Sequence, residues 1–219
     1  MSASAAVHSE TRQHEHAEPE VLAPGYYDLT FDAPRAGSYE LPGLGHAADG
    51  VVLLDTGEPV RLHDLYADRV VVLSFIYTSC GDVNGCPLAT HVLARVQERL
   101  AKAAELAAKV RLVSWSFDPE RDTPDVMRTY GARFQNAEVD WRFVASADSR
   151  SLAPLLLDYD QSVIQEIDAQ GRPLGTLSHI LRVYLIDTRG VIRNIYSVSF
   201  LHADTLLNDI RTLLAESSR

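Results

Sequence analysis

The stretch Val70-Val71-Val72-Leu73-Ser74-Phe75-Ile76-Tyr77 constrains this chain more than any other feature. An unbroken run of β-branched and aromatic side chains reads as a strand covered on both faces, the kind found inside α/β sheets. It closes with Thr78-Ser79-Cys80, and a short polar loop follows. Pro87 then fits the first turn of a helix, where its missing N–H would be unpaired anyway. Val92, Val96, Leu100, Ala103 and Ala107 recur at three- and four-residue spacing, which predicts an amphipathic helix over 87–108.

The remaining segments extend that pattern. Val51–Leu54 and Val60–Leu62 flank the turn Asp55-Thr56-Gly57-Glu58 and read as a hairpin. Strands are expected at Arg111–Phe117, Arg142–Ala145, Leu181–Ile186 and Val191–Tyr196, with a turn at Asp187–Gly190. Helices are expected over 124–134, near 149–157 and over 203–215. Strand and helix alternate, then a strand pair and a helix end the chain. That is an α/β order with a partly parallel sheet, and it matches a thioredoxin-like fold with an added N-terminal β-hairpin.

Length and charge narrow the function. The 219 residues suit one large domain, expected here over 51–217. Residues 21–50, punctuated by Pro24, Gly25, Pro34, Gly37, Pro42, Gly43 and Gly45, read as an extended lead-in. Residues 1–20 read as a flexible polar arm in which His8, His14 and His16 alternate with Glu10, Glu15 and Glu18. Such a tract can chelate divalent metals loosely, although a solvated tail is its ordinary use. The net charge of −10 opposes phosphate backbones and anionic lipids, so no nucleic-acid partner is expected. No apolar run approaches the ~20 residues that span a bilayer, so no membrane span is expected in this chain. The arm also lacks the basic patch and apolar core of a signal peptide.

The only two cysteines, Cys80 and Cys86, lie in one loop between the buried strand and the helix start. Sheets of this kind place their chemistry at the carboxyl ends of strands. The helix N-terminus favours a thiolate on Cys86 and, less directly, on Cys80. The spacer Gly81-Asp82-Val83-Asn84-Gly85 carries two glycines that permit a tight backbone. The pair can close a disulfide or grip a soft metal. Cu(I) suits two thiolates and an imidazole at low coordination, whereas zinc would want a fourth ligand. His179 stands just before an apolar strand and would face the same sheet edge if that strand is central. A lone histidine there is commonly an ordinary packed residue. His91 is five residues past Cys86, about 140° around the helix, and should point away.

Phe75-Ile76-Tyr77-Thr78-Ser79-Cys80, Cys86-Pro87, Ser116-Phe117-Asp118-Pro119-Glu120-Arg121-Asp122-Thr123-Pro124, and Ser178-His179 through Asp187 and Gly190 together resemble the Sco/SenC family. The resemblance runs in order across roughly 50–217. It implies a thioredoxin-like protein that binds a copper ion through Cys80, Cys86 and His179 and helps assemble the copper site of cytochrome c oxidase. The Cys80–Cys86 pair would also be redox-active, able to form a disulfide. The implied partner is a copper-accepting protein such as an oxidase subunit, on the periplasmic side of a bacterial membrane. The N-terminus as written points instead to synthesis without export, leaving a cytoplasmic location as the alternative. The spacer departs from the family's Cys-x-x-x-Cys-Pro by two residues.

Two further readings compete with copper handling. A thiol–disulfide oxidoreductase needs only Cys80 and Cys86, and a peroxidase-type redoxin needs one low-pKa thiolate. The absence of proline within 176–181, where thioredoxin-type oxidoreductases place one beside the dithiol, weighs against a general reductase. The Asp118–Asp122 cluster reads either as a hydrogen-bonded turn with a helix cap, or as a group near the dithiol in which Asp118 tunes thiol basicity.

Overall fold

The computed structural model describes residues 21–216. The histidines and glutamates of the arm, His8 to Glu18, lie outside the described residues. Nine strands and six α-helices are described, in the order β1 (Val51–Leu54), β2 (Pro59–Arg61), α1 (Leu62–Tyr66), β3 (Val70–Ile76), α2 (Cys86–Leu100), α3 (Ala104–Ala107), β4 (Val110–Ser116), α4 (Pro124–Gly131), β5 (Asp140–Ala145), α5 (Ser149–Asp158), β6 (Val163–Ile167), β7 (Pro173–His179), β8 (Val183–Ile186), β9 (Ile192–Tyr196) and α6 (Ala203–Glu216). Seven strands form one sheet in the order β2-β1-β5-β4-β3-β8-β9. β3, β4 and β5 are parallel, while β1, β8 and β9 join antiparallel. This is the expected thioredoxin-like sheet, with the N-terminal hairpin added at one edge.

β3 sits near the middle and is buried along its whole length, which is why its sequence is a continuous apolar run. Its aromatic residue faces a cluster built from three other elements. Phe75 lies 4.9 Å from Trp115 and 5.3 Å from Tyr159, ring centre to ring centre, and Tyr184 closes the group. The opposite face is covered by α2 and α4, joined where Thr90 and Tyr130 hydroxyls meet at 3.0 Å. Val92, Val96 and Leu100 are fully buried, so the amphipathic reading of α2 holds.

The helix expected over 87–108 is broken. α2 ends at Leu100, Ala103 takes an extended φ of −141°, and a short α3 follows. Alanine-rich sequence favours helix at every one of these positions, but the chain must turn back to begin β4 at Val110, and that closure overrides propensity. Smaller differences concern element ends: α4 stops at Gly131 instead of running to 134, and β5 begins at Asp140 instead of Arg142. Leu62 opens α1 instead of ending β2, β8 begins at Val183 instead of Leu181, and β9 begins at Ile192. The hairpin β6–β7, which forms a separate two-stranded sheet, has no counterpart among the expected elements.

In the lead-in, regular structure is confined to a single 3-10 turn at Pro24–Tyr26 and one bridge from His46 to Val191. It nevertheless packs on the body, with Ala23, Gly25 and Ala47 buried. No helix among the described residues is long and apolar enough to cross a membrane.

Candidate metal centre

Cys80 leaves the carboxyl end of β3 through a turn in which its N–H donates to the Tyr77 carbonyl, 3.2 Å away. Cys86 opens α2 and is 1% exposed. Its sulfur accepts the Tyr77 N–H at 3.4 Å. His179 ends β7 and reaches the same place from the other side: its Nε2 lies 3.5 Å from Cys86 Sγ. The Cys80 thiol points to the Asp82 carbonyl, 4.0 Å away, and both Cys86 and His179 act on its electrostatics. Both cysteines are free thiols. The structure therefore brings His179 onto Cys86, with Cys80 in the same loop. Among the described residues, no three of these side chains are already gathered as a metal cage. His91 does point away, its ring lying 4.8 Å from that of Tyr26.

The electrostatics divide the two sulfurs. Cys80 is pulled down to about 4, chiefly by the hydrogen bond from the Cys86 thiol and also by His179, against partial burial. Cys86 is pushed up by that same hydrogen bond to Cys80, by burial and by the Cys80 charge. The helix N-terminus suggested Cys86 as the first thiolate; burial and the neighbouring sulfur reverse that order. Burial raises the Tyr77 phenol to about 12, with the hydrogen bond to Cys80 adding to it.

A kinetic signature follows. Alkylation of the reduced protein should modify Cys80 more than tenfold faster than buried Cys86, with a rate nearly flat from about pH 5 to 8. An ordinary thiol would gain about tenfold per pH unit across the same interval. Mass mapping of a quenched time course reads both quantities, and a steep profile at Cys80 would contradict the charge assignment.

The His179 ring is held by aromatic neighbours, with Phe117 at 4.5 Å and Tyr77 at 6.4 Å between ring centres. Its Nδ1 is buried without a hydrogen-bond partner. With the proton on Nε2, the ring donates to sulfur and leaves a lone pair idle at Nδ1. With the proton on Nδ1, a buried N–H goes unpaired, a cost of about 1–3 kcal/mol, and the Nε2 lone pair faces the Cys86 sulfur. The donor set fits a soft ion: two sulfurs and one nitrogen, with the nitrogen able to take a metal in place of a proton.

Asp122 is the functional residue whose role the sequence left unread. It is 1% exposed. One oxygen accepts the Thr78 N–H at 2.9 Å and the Ser116 hydroxyl at 2.6 Å, and the other accepts the Thr78 hydroxyl at 2.5 Å. It thus fixes the turn that leads to Cys80. Asp118 instead pairs with Arg121 at 3.0 Å, and the same guanidinium reaches the Gly175 carbonyl on β7 at 3.0 Å. Thr123 caps α4 by accepting the Val126 N–H. The turn-and-cap reading of this cluster is the one the structure supports. The available signal for Asp122 was register: Ile76 and Ser116 stand side by side at the ends of parallel strands, each followed by a polar loop.

A parallel-centred sheet with a dithiol at the end of its buried strand places this chain in the thioredoxin-like class. Its sequence matches the SCO1/SenC family over residues 52–215, and the chain belongs to that family. The SCO1 protein homolog of Bacillus subtilis is 24% identical over 157 residues, covering 71% of this chain and 76% of the relative. Among solved structures, Bradyrhizobium japonicum ScoI with copper bound shares 21% identity at a TM-score of 0.62, covering 77% of this chain and 99% of that one. BsSco, described as a member of the Sco family of cytochrome c oxidase assembly proteins with a disulfide switch, shares 21% identity at a TM-score of 0.63, covering 83% and 100%.

Proposed function

We propose that this protein is a copper-binding assembly factor that holds one copper ion through Cys80, Cys86 and His179. It would deliver the ion to a cytochrome c oxidase copper site, or ready the thiols of that site. The observation that carries the reading is the approach of His179 Nε2 to Cys86 Sγ at 3.5 Å, at the end of the loop that also holds Cys80. Family membership and a copper-bound structural neighbour support it. Two soft thiolates and a neutral imidazole favour Cu(I) over the harder divalent ions. Three donors leave the ion approachable, so an acceptor's ligands can enter before all of these leave. The ion is cargo, and its transfer by ligand exchange changes no oxidation state. We place the protein on the periplasmic side of a bacterial membrane, in keeping with the oxidase site it would serve.

An anaerobic Cu(I) titration of the reduced protein against a chromophoric chelator tests this. One tightly held copper per chain is expected, lost in Cys80→Ser and in Cys86→Ser. Wild-type protein that surrenders its copper to a moderate competitor would overturn the reading. The second reading, a thiol–disulfide oxidoreductase, is favoured by one observation: two free thiols, one half-exposed and one buried, in a single loop at a helix start.

A further inference from the structure

The spacer between the cysteines is long enough to wander, yet its middle is held from outside. Asn84 Oδ1 accepts the Ala23 N–H at 2.7 Å, and Asn84 Nδ2 donates to the Val21 carbonyl at 2.9 Å. One side-chain amide thereby imitates the pairing a neighbouring strand would give. At the adjacent residue, Tyr26 donates its hydroxyl to the Val83 carbonyl at 2.5 Å. Within the spacer, the Asn84 N–H donates to Asp82 Oδ1 at 2.9 Å and the Gly85 N–H to the Asp82 carbonyl at 2.9 Å.

What holds the spacer is itself fixed. The 3-10 turn Pro24–Tyr26 is wedged so closely that a Cβ on Gly25 would lie 2.4 Å from the Leu201 carbonyl oxygen and 3.0 Å from the side chains of Leu88 and Val92. Leu88 and Val92 belong to α2, the helix that Cys86 begins. The turn and Cys86 therefore share one rigid base, and the spacer is tied back to that base at two successive residues.

We infer that Val21–Tyr26 is a clamp on the cysteine loop, with Asn84 and Tyr26 as positioning residues of the dithiol site. The inference rests on the copper reading for its ligand, but the clamp acts on the sulfurs whether or not copper is their cargo. Each free residue of a glycine-flanked spacer must be ordered when both sulfurs engage one ion or one another. The clamp carries out that ordering beforehand, so both thiol–metal and thiol–thiol closure gain from it.

Four variants test this: Asn84→Ala, Tyr26→Phe, the two combined, and Asn208→Ala as a control. Asn208 Nδ2 holds the lead-in elsewhere, by donating to the Pro34 carbonyl at 2.7 Å. Two readouts are taken. One is Cu(I) affinity by chelator competition. The other is the equilibrium in which reduced protein and glutathione disulfide give the Cys80–Cys86 disulfide and two glutathione thiols. The combined variant should weaken Cu(I) binding about tenfold and move the glutathione equilibrium about tenfold toward the dithiol, the low end of what losing three net hydrogen bonds would give. Asn208→Ala should leave both readouts within about twofold. Unchanged readouts in the combined variant would overturn the clamp, and so would an equal shift in Asn208→Ala. If wild-type protein holds no copper, the copper reading fails, and the glutathione arm alone still decides the clamp.

Discussion

Replacing His179 with alanine should weaken Cu(I) retention by about a hundredfold or more while leaving the dithiol able to cycle with glutathione. Groups that only support a metal ligand cost about 10–100-fold when removed, so loss of a ligand belongs at or beyond the upper end of that range. Two sulfurs remain in His179→Ala and can still hold Cu(I) in two-coordinate form, which is why the loss is partial. The fold should tolerate the change. His179 ends β7 outside the seven-stranded sheet, and its removal also removes a buried nitrogen that lacks a partner. Chelator competition on wild type and variant, run side by side with a glutathione equilibrium, measures the effect. Equal copper affinity in the two proteins would take His179 out of the site and leave Cys80 and Cys86 as a redox pair.

The second large effect is expected at Asp122. Its carboxylate receives three hydrogen bonds in a buried pocket at the ends of β3 and β4. Asp122→Ala leaves the buried Ser116 hydroxyl and the half-buried Thr78 N–H and hydroxyl without their acceptor and should cost about 3–5 kcal/mol. For a chain of this size that corresponds to a fall of about 10 °C in the thermal midpoint. Asp122→Asn keeps the shape but sets an NH2 group against donors, so it should recover only part of the loss. Because Thr78 lies two residues before Cys80, both variants should also weaken Cu(I) binding. Calorimetry and chelator competition on the same samples separate the two consequences. A midpoint unchanged in Asp122→Ala would show that water replaces the carboxylate and that the turn stands without it.

The parts of this fold that declared themselves in the sequence are those that bury a patterned face. β3 is apolar throughout because both its faces are covered, and α2 repeats at helical spacing because one face is. β6 and β7 escaped for the opposite reason. Ile164, Gln165, Glu166 and Ile167 are all exposed, so no buried face imposed alternation on them. Gly171 takes positive φ in the hairpin turn and Gly175 does so within β7, where the pairing register shifts, so both glycines read only as loop. The break after Leu100 was hidden because alanine and lysine carry no stop signal; a distant constraint ends that helix. At the site, the two cysteines were legible as chemistry, and His179 only through the family resemblance. Asp122 and Asn84 were not, because acceptors for backbone groups look like any turn residue until the turn is in place.

The two-stranded sheet that carries His179 has one more consequence. Cys80 and Cys86 are rooted in β3 and α2, whereas His179 hangs on a hairpin that pairs with neither, tied back by Arg121 at Gly175. Segments with exposed backbone bonds and little buried surface open far more often than the core beneath them. In the proposed site, then, the residence time of the ion would be governed by excursions of this hairpin and not by unfolding of the domain. Thermal robustness and quick release are separable properties in such an architecture, and each could be tuned by substitutions that leave the other alone.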